Sequence, residues 1–282
     1  MRDAALESVA VGFFDGVHLG HQKLLRRAVR AVTFRNHPLT VLAPERAPRL
    51  IMSPEEKVAA IRACGVDEVE LVDFTPEVAA LRPEDFAAQY LERGGLHPAI
   101  VCGENWRFGA GGRGDAELLR SLGFDVTVVS YAVCDGERVS SSRIRQCLEA
   151  GEIERASAML GRPVVVSGTR FRGKGKGAQI GFPTVNIKLG APPAELLPHG
   201  VYSAMSAGAR AVANYGVAPT MGEAAWTEPV LELHFIDTPS DCMDAVTTTA
   251  ELRRFIRPEA KFDSVESLRR QIAADVESAM RE

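Results

Sequence analysis

VAVGFFDGVHLGHQKLL, residues 9–25, joins an apolar run of strand type to a glycine-rich turn and then to a segment with helical spacing. In an open α/β sheet, ligands bind where a strand ends and the next helix begins. His18 and His21 stand at that point of the sequence. They are therefore the first candidates for a functional site.

Composition and charge are those of an ordinary globular protein. The chain has 282 residues, enough for two domains of usual size. Apolar residues make up 46% and charged residues 25%, and the formal net charge is −4. Because no basic field is present, we expect neither nucleic acid nor an anionic membrane as a partner. The oligomeric state stays open at this stage.

The cysteines and the N-terminus bear on the compartment. The five cysteines form no C-x-x-C pair, which argues against a disulfide scaffold or a structural zinc site and fits a reducing environment. We expect no secretory leader, since the first eight residues carry mixed charges, and no run of about 18 apolar residues predicts a membrane helix. The sequence thus predicts a cytoplasmic protein.

The two halves of the chain differ in pattern. Residues 1–147 alternate strand-like and helix-like segments, which predicts a doubly wound parallel α/β sheet. One predicted helix has Ser53 as N-cap, Glu56 three residues later as the partner of a capping box, and Gly65 as its stop. The first helix is predicted over GHQKLLRRAVRA, residues 20–31.

The second half is mostly strand-like. Residues 148–162 read as a helical linker with glycine breaks at Gly151 and Gly161. Residues 163–282 contain short strand-like segments separated by glycine and proline turns, and only the end is strongly helical. The sequence therefore predicts a β-barrel or sandwich with one closing helix.

The turn after the first strand favours a phosphate ligand. Gly16 and Gly20 let the backbone approach a ligand closely, and a helix N-terminus offers free N–H groups to an anion. His18 and His21 can donate hydrogen bonds to phosphate oxygens as charge builds up in a displacement reaction. An isolated histidine pair at this place could equally be capping or surface residues.

Three later motifs point to the same edge of the predicted sheet. TFRNHP places His37 at the end of the next strand, and GENWRFG places Asn105 after another. SSSRIR offers hydroxyls and guanidinium groups at a helix start, an arrangement that binds anions. Its candidate residues are Ser141, Ser142, Arg143 and Arg145.

A second candidate site lies in GKGKGAQIGFPTVN, residues 173–186. Its loop residues can wrap a phosphate chain, and they are Gly173, Lys174, Gly175, Gly177 and Gly181. Residues 168–175 nearly fit the P-loop pattern, but Gly175 stands where Ser or Thr is required and no helix is expected to follow. Thr184 and Asn186 share one side of an extended segment, where their oxygens could coordinate Mg²⁺. Taken alone, GKGKG is more typical of a flexible charged hairpin.

These motifs together resemble a known family. GFFDGVHLGHQ, TFRNHP, GENWRFG and SSSRIR, in this order, resemble the adenylyltransferase module of bacterial bifunctional riboflavin kinase/FAD synthetases. GRPVVVSGTRF, GAQIGFPTVNI, LELHFID and FIRPEAKFDSVESLRRQ resemble the riboflavin kinase module of the same enzymes. The resemblance covers about residues 9–280. It implies a nucleotidyltransferase-type sheet at residues 1–147 and a riboflavin-kinase-type barrel at residues 163–282.

The resemblance also implies an activity and roles for residues. Riboflavin is phosphorylated to FMN by ATP with Mg²⁺, and FMN is adenylylated to FAD by a second ATP with release of pyrophosphate. His18 and His21 would bind the ATP phosphates with help from His37, and Asn105 would lie near the nucleotide or the flavin phosphate. The SSSRIR residues would form a far phosphate clamp. In the kinase module Glu232 would be the general base, with His234 a structural neighbour.

Three other interpretations remain open on sequence grounds. The predicted first helix, residues 20–31, passes directly into VTFRNHP, residues 32–38, where members of the family usually have about ten more residues to finish the crossover. The short crossover supports two alternatives: a riboflavin kinase with an impaired adenylyltransferase domain, or a flavin-binding protein without turnover. The third rests on GAGGRG, residues 109–114, a G-x-G-x-x-G match that suggests dinucleotide binding, although a lone match is weak.

Overall fold

The computed structural model describes residues 8–173, 175–190, 192–216, 229–238 and 247–281. Lys174, a predicted phosphate ligand, lies outside these ranges, as do residues 217–228 and 239–246. The chain divides between Ser141 and Ser142 into two compact units. Within the described ranges, no helix has the length and apolar character needed to cross a membrane.

The first unit is built on a five-stranded parallel sheet. Its strands are β1 (Ser8–Val11), β2 (Arg30–Phe34), β3 (Glu68–Val72), β4 (Ala99–Gly103) and β5 (Val126–Val129), followed by a small hairpin of β6 (Val133–Cys134) and β7 (Glu137–Arg138). Its helices are α1 (Leu19–Leu25), α2 (Leu39–Leu42), α3 (Pro54–Ala63), α4 (Pro76–Ala80), α5 (Pro83–Phe86) and α6 (Ala116–Ser121), and a π-helical turn, Ala87–Leu91, continues α5.

The strand order is β3-β2-β1-β4-β5, with every pair parallel, which confirms the doubly wound sheet. Val9 and Val11 pack into the layer of α5 and α6, and Ala10 packs into the layer of α1 and α3. The order reverses between β1 and β4, so the carboxyl ends of these strands flank the switch point at which such sheets bind ligands.

The short first crossover is accommodated in the helix and not in the strand. The predicted helix over residues 20–31 was too long, because α1 ends at Leu25 and turn hydrogen bonds lead the chain into β2 at Arg30. Strand β2 then pairs over its full length, from Val9 opposite Arg30 to Phe34 opposite Val72. The carboxyl end of β2 is therefore in place beside β1.

The second unit is a closed barrel, which decides between the two predicted β folds. Its strands are β8 (Val164–Phe171), β9 (Val185–Leu189), β10 (Gly200–Ser206), β11 (Ala209–Gly216), β12 (Val230–Phe235) and β13 (Thr247–Pro258). They close in the order β10-β11-β12-β9-β8-β13, with every pair antiparallel. Its helices are α7 (Ser141–Glu149), α8 (Ile153–Leu160), α9 (Lys176–Gln179) and α10 (Val265–Met280).

Helices at both ends of this unit match the sequence pattern. Helix α8 ends at Gly161 in the left-handed conformation, as a glycine stop predicts.

The closing helix α10 is tied to the barrel by Arg257 on β13, whose guanidinium donates to both carboxylate oxygens of Asp275 at 2.8 and 2.7 Å. Asp275 is only 3% exposed, so this is a largely desolvated ion pair.

Candidate functional sites

The turn after β1 holds an unusual backbone. Phe14 and Val17 have φ angles of 55° and 38°, and Gly16 between them has 80°. A β-branched residue such as Val17 rarely takes a positive φ, and strained backbone of this kind gathers at functional sites. Hydrogen bonds hold it, since Val17 N–H donates to the Phe14 carbonyl at 3.0 Å and the Gln22 side chain donates to the Val17 carbonyl at 3.0 Å. The turn places His18 at the start of α1.

The two predicted histidines form one stacked pair. Their ring centroids are 3.6 Å apart with an interplanar angle of 18°. His18 Nδ1 accepts a hydrogen bond from the His21 backbone N–H at 3.3 Å, so the neutral ring carries its proton on Nε2. A side chain at Gly20 would press on the His18 ring. Because α1 has only seven residues, we expect the imidazoles to contribute more than the helix dipole.

His21 is neutral at physiological pH. Burial, then the neighbouring His18, then the charge of Lys57 hold its pKa well below the usual value. Its Nδ1 is buried and has no hydrogen-bond partner among the described residues. Buried polar atoms are normally paired, so one without a protein partner marks a place where a bound ligand can supply it.

His37 lies at the end of β2, where the parallel sheet predicts it. Its Nδ1 accepts from the Leu39 backbone N–H at 3.1 Å, and its ring packs edge-on against Phe13 at 4.7 Å between centroids. Phe13 belongs to the turn after β1, so the predicted proximity of the two motifs is present. The adjacent Asn36 exchanges two hydrogen bonds of 2.9 Å with the backbone of Phe74, which fixes the loops after β2 and β3.

Asn105 lies in the turn after β4 and is held by a residue that the sequence analysis missed. With its amide oriented by its hydrogen bonds, the Asn105 oxygen accepts from both terminal nitrogens of Arg138, at 3.1 and 3.3 Å. The Arg138 guanidinium also lies over the Tyr131 ring, 4.9 Å from its centroid. The β6–β7 hairpin that carries Arg138 has no strong pattern in the sequence, which is why this pair was not predicted.

Two buried charged residues of this unit, Asp15 and Lys57, were not predicted from the sequence. Asp15 is 2% exposed and its carboxylate accepts from the Ile51 backbone N–H at 3.1 Å. Lys57 in α3 is also 2% exposed. The helical spacing could have indicated Lys57. It stands four residues before Ile61 on the buried face of α3, where an apolar residue is expected.

The residues of SSSRIR have mixed placements. The Ser141 hydroxyl donates to the Asp15 backbone carbonyl at 2.9 Å, so it anchors the turn after β1. Ser142, Arg143 and Arg145 lie on α7, which belongs to the second unit apart from Ser141, and Arg145 is buried. Their role as a phosphate clamp stays a prediction.

GAGGRG does not have the context of a dinucleotide fingerprint. Such a motif joins a strand directly to a helix in the first βα turn. Here β4 ends at Gly103, the motif forms a 3₁₀ turn over Ala110–Gly112, and α6 starts at Ala116. Gly109 is explained by packing, since a side chain there would collide with Pro83.

In the second unit, the register of two strands brings the predicted kinase residues together. Glu232 on β12 is directly opposite Asn186 on β9. Their neighbours Leu231, Leu233 and Ile187 are buried, so the alternation along each strand turns Glu232 and Asn186 to the outer side of the barrel wall. Residues directly opposite on one face have Cβ atoms about 4.5–5.5 Å apart, which places the two polar side chains side by side.

The glycine loop packs directly on this face. A side chain at Gly173 would collide with the Asn186 amide, and one at Gly177 with the Phe182 carbonyl and, at 3.3 Å, with Thr184 Oγ1. These glycines therefore allow a close approach of the loop to the predicted magnesium ligands. The expectation that no helix follows the P-loop-like stretch was wrong, because a single helical turn, Lys176–Gln179, comes directly after Gly175. Four residues form too short a helix to act as the helix of a P-loop.

His234 has the structural role that was expected for it. Its Nδ1 lies 2.9 Å from the Pro183 carbonyl oxygen, and its ring packs edge-on against Phe182 at 5.2 Å. It thereby ties β12 to the segment that leads into Thr184. The described residues contain no cluster of three or more His, Cys, Asp or Glu suited to a metal ion. Neutral oxygens such as those of Thr184 and Asn186 fit Mg²⁺, which usually takes its remaining ligands from water and phosphate.

Comparison with known proteins matches a separate family model to each half of the chain. A family model described as FAD synthetase matches residues 2–143, and one described as riboflavin kinase matches residues 160–282. The bifunctional riboflavin kinase/FMN adenylyltransferase of Escherichia coli strain K12 is 33% identical over 286 residues, covering 95% of this chain and 90% of the relative. The enzyme of that name from Bacillus subtilis is 30% identical over 300 residues, covering 99% and 93%.

A solved structure with the same fold carries a different description. A crystal structure of a macrolide-efflux protein from Streptococcus pneumoniae matches this chain with a TM-score of 0.85 at 29% identity. The match covers 99% of this chain and 95% of that protein. The description concerns that protein, whereas the sequence matches above assign each half of this chain separately.

Proposed function

The chain belongs to the bifunctional riboflavin kinase/FMN adenylyltransferase family, and from this premise we propose which residues carry the two reactions. The second unit phosphorylates riboflavin to FMN with ATP. The first unit adenylylates FMN to FAD with a second ATP and releases pyrophosphate. The observation that supports the residue assignment most is the position of Glu232 on β12 directly opposite Asn186 on β9, with Gly173 of the glycine loop packed against the Asn186 amide.

In the first unit the histidine pair stabilises charge. A phosphate oxygen of FMN attacks the α-phosphorus of ATP, and the bond from that phosphorus to the oxygen bridging to the β-phosphorus breaks as pyrophosphate leaves. His18 Nε2–H and the His21 ring hydrogen-bond the phosphate oxygens on which charge accumulates. His37 and Asn105 orient the two substrates, and Gly16 and Gly20 let the phosphates come close. Positioning and charge stabilisation supply the rate without a covalent intermediate.

In the second unit Glu232 activates the nucleophile. Its carboxylate takes the proton of the ribityl 5′-hydroxyl, the resulting oxygen attacks the γ-phosphorus of ATP, and ADP leaves. The backbone of the glycine loop, at Gly173, Gly175, Gly177 and Gly181, holds the phosphate chain. Thr184 and Asn186 would hold Mg²⁺. When bound, that ion neutralises charge on the phosphates.

The assignment of the magnesium ligands has its own test. Asn186→Ala should raise the Mg²⁺ concentration needed for half-maximal riboflavin kinase activity by about tenfold or more, since loss of groups that support a metal site costs about 10–100-fold. Thr247→Ala is the matched control, because it removes an exposed polar side chain from β13 of the same barrel. An unchanged Mg²⁺ requirement in Asn186→Ala would remove this residue from the metal site.

The complete function is tested on the whole chain. The purified protein is incubated with riboflavin, ATP and Mg²⁺, and riboflavin, FMN and FAD are separated by chromatography. We expect FMN to form first and FAD to follow. Accumulation of FMN without FAD would identify a kinase whose first unit is inactive, and binding of flavin without any product would identify a non-catalytic flavin-binding protein.

A location in the cytoplasm is part of the proposal. No disulfide joins the cysteines within the described residues, which are Cys64, Cys102, Cys134 and Cys147. Cysteines that form no disulfide suit a reducing compartment.

A further inference from the structure

Lys57 is a buried cation beside the first candidate site that the reaction scheme does not use. Its Nζ donates to the Phe34 carbonyl at 2.5 Å and lies 4.0 Å from the centroid of the Phe13 ring. Phe34 is the last residue of β2, and Phe13 belongs to the turn after β1. One ammonium group thus holds the carboxyl ends of two neighbouring strands.

The contacts of Lys57 lead directly to the histidines. The Phe13 ring that receives the ammonium on its face packs against the His37 ring. The charge of Lys57 also acts on His21, where it disfavours the protonated imidazole. Since Lys57 is 2% exposed and its Nζ is engaged with backbone and ring, it acts on the site through these neighbours and not by contact with a substrate.

Burial of the Lys57 ammonium disfavours its charged form. Burial lowers the pKa of Lys57 to about 8, the carboxylate of Asp15 raises it in part, and the guanidinium of Arg35 lowers it further. A methionine would fill the same space without that desolvation. A charge retained against stability in this way points to a function rather than to packing.

We propose that Lys57 is a positioning residue of the adenylyltransferase site, holding Phe13 and thereby His37 in place. The inference rests on the proposed function of the first unit. It gives α3, which carries no residue of the family motifs, a part in the reaction.

The test is Lys57→Met in the full-length chain. FAD formation from supplied FMN should fall about tenfold to hundredfold, mainly in kcat, as expected when reacting groups are slightly misplaced. Riboflavin kinase activity should not change, the melting temperature of the first unit should not fall, and the His21 ring should titrate at higher pH in histidine-detected NMR. Lys23→Met, which removes an exposed ammonium from α1, is the control and should leave all four readouts unchanged.

A second arm uses the wild-type protein and Lys57→Arg. As pH rises through about 8, wild-type Lys57 loses its charge, so the FMN-to-FAD rate should fall there while the kinase rate does not. Lys57→Arg, charged throughout, should lack this fall.

Full FAD formation and unchanged His21 titration in Lys57→Met would overturn the proposal, and so would equal loss of both activities with a lowered melting temperature. A wild-type chain that makes no FAD would instead refute the proposed function of the first unit.

Discussion

The two candidate sites place their chemistry in opposite surroundings. In the first unit, His18 and Lys57 are 6% and 2% exposed, and the pKa values of His21 and Lys57 are lowered mainly by burial. In the second unit, Glu232 and Asn186 lie half-buried on the outer side of a barrel wall. The titrating groups of the first site are therefore desolvated by the fold itself, whereas the polar pair of the second site stands at a partly exposed surface.

The way each site is assembled differs as well. The histidine pair is local, since the residues are three apart and one turn of backbone stacks their rings. The Glu232–Asn186 pair joins residues far apart in sequence through antiparallel pairing. A short motif can specify the first arrangement, whereas the second requires the barrel to be formed.

The change with the largest expected effect removes the carboxylate of the second site. Glu232→Gln should lower FMN formation by about a thousandfold, within the usual contribution of a general base, while conversion of supplied FMN to FAD continues. Flavin chromatography after single-substrate incubations measures both. Glu277→Gln, an exposed acid on α10, is the control. FMN synthesis at the normal rate in Glu232→Gln would show that the base is another group.

The dependence of the second site on a closed barrel is tested at its buried ion pair. Asp275→Asn leaves Arg257 without its counter-charge and should destabilise the second unit by about 3 kcal/mol. Kinase activity should then be lost at a lower temperature than in the wild type, while adenylyltransferase activity is lost at the same temperature. Equal shifts in both activities would show that the two units do not respond separately.

The local character of the first site is tested at His21. His21→Ala should lower FAD formation by about a hundredfold, the usual effect of removing one donor that stabilises developing charge, and should spare riboflavin phosphorylation. His97→Ala is the matched control, because His97 stacks on Phe124 in the same unit and belongs to neither site. An unchanged FAD yield in His21→Ala would remove the histidine from the reaction.

The smallest effect follows from the neutral state of His21. Because its pKa is lowered in the folded protein, the unfolded chain binds a proton below pH 6.5 that the folded chain does not. Stability of the first unit should therefore fall with pH below 6.5, by at most about 1.4 kcal/mol per pH unit from this group. Urea unfolding at pH 7.5 and 5.5, followed by Trp106 fluorescence in a Trp226→Phe background, measures it. His21→Gln should show a smaller pH dependence, and an equal one would contradict the assignment.

The features of the two units that depend on neighbouring residues could be predicted from the sequence. The capping box of Ser53 and Glu56 formed as predicted, since both partners lie within one helical turn. The Gly161 stop formed for the same reason. His37 beside the first turn followed from parallel strand pairing, a rule that needs only the order of the elements.

What the sequence did not predict depended on packing between distant segments. The contact of Asn105 with Arg138 requires a hairpin of two-residue strands, too short for any periodicity to indicate. The charges of Lys57 and Asp15 act on each other only after α3 has packed on the sheet. The end of α1 at Leu25 was set by the need of β2 to pair from Arg30 onward, which overrode a helical pattern continuing to residue 31.

The opposition of Glu232 and Asn186 has a consequence for how this protein tolerates change. Side chains alternate along a strand, so a slip of one residue between β9 and β12 would send the proposed base and the proposed metal ligand to opposite sides of the wall. A single insertion inside either strand would thus abolish phosphorylation even if the barrel still closed. Insertions in the loops of this unit leave that register intact, so kinase turnover can serve as a direct report of correct strand alignment.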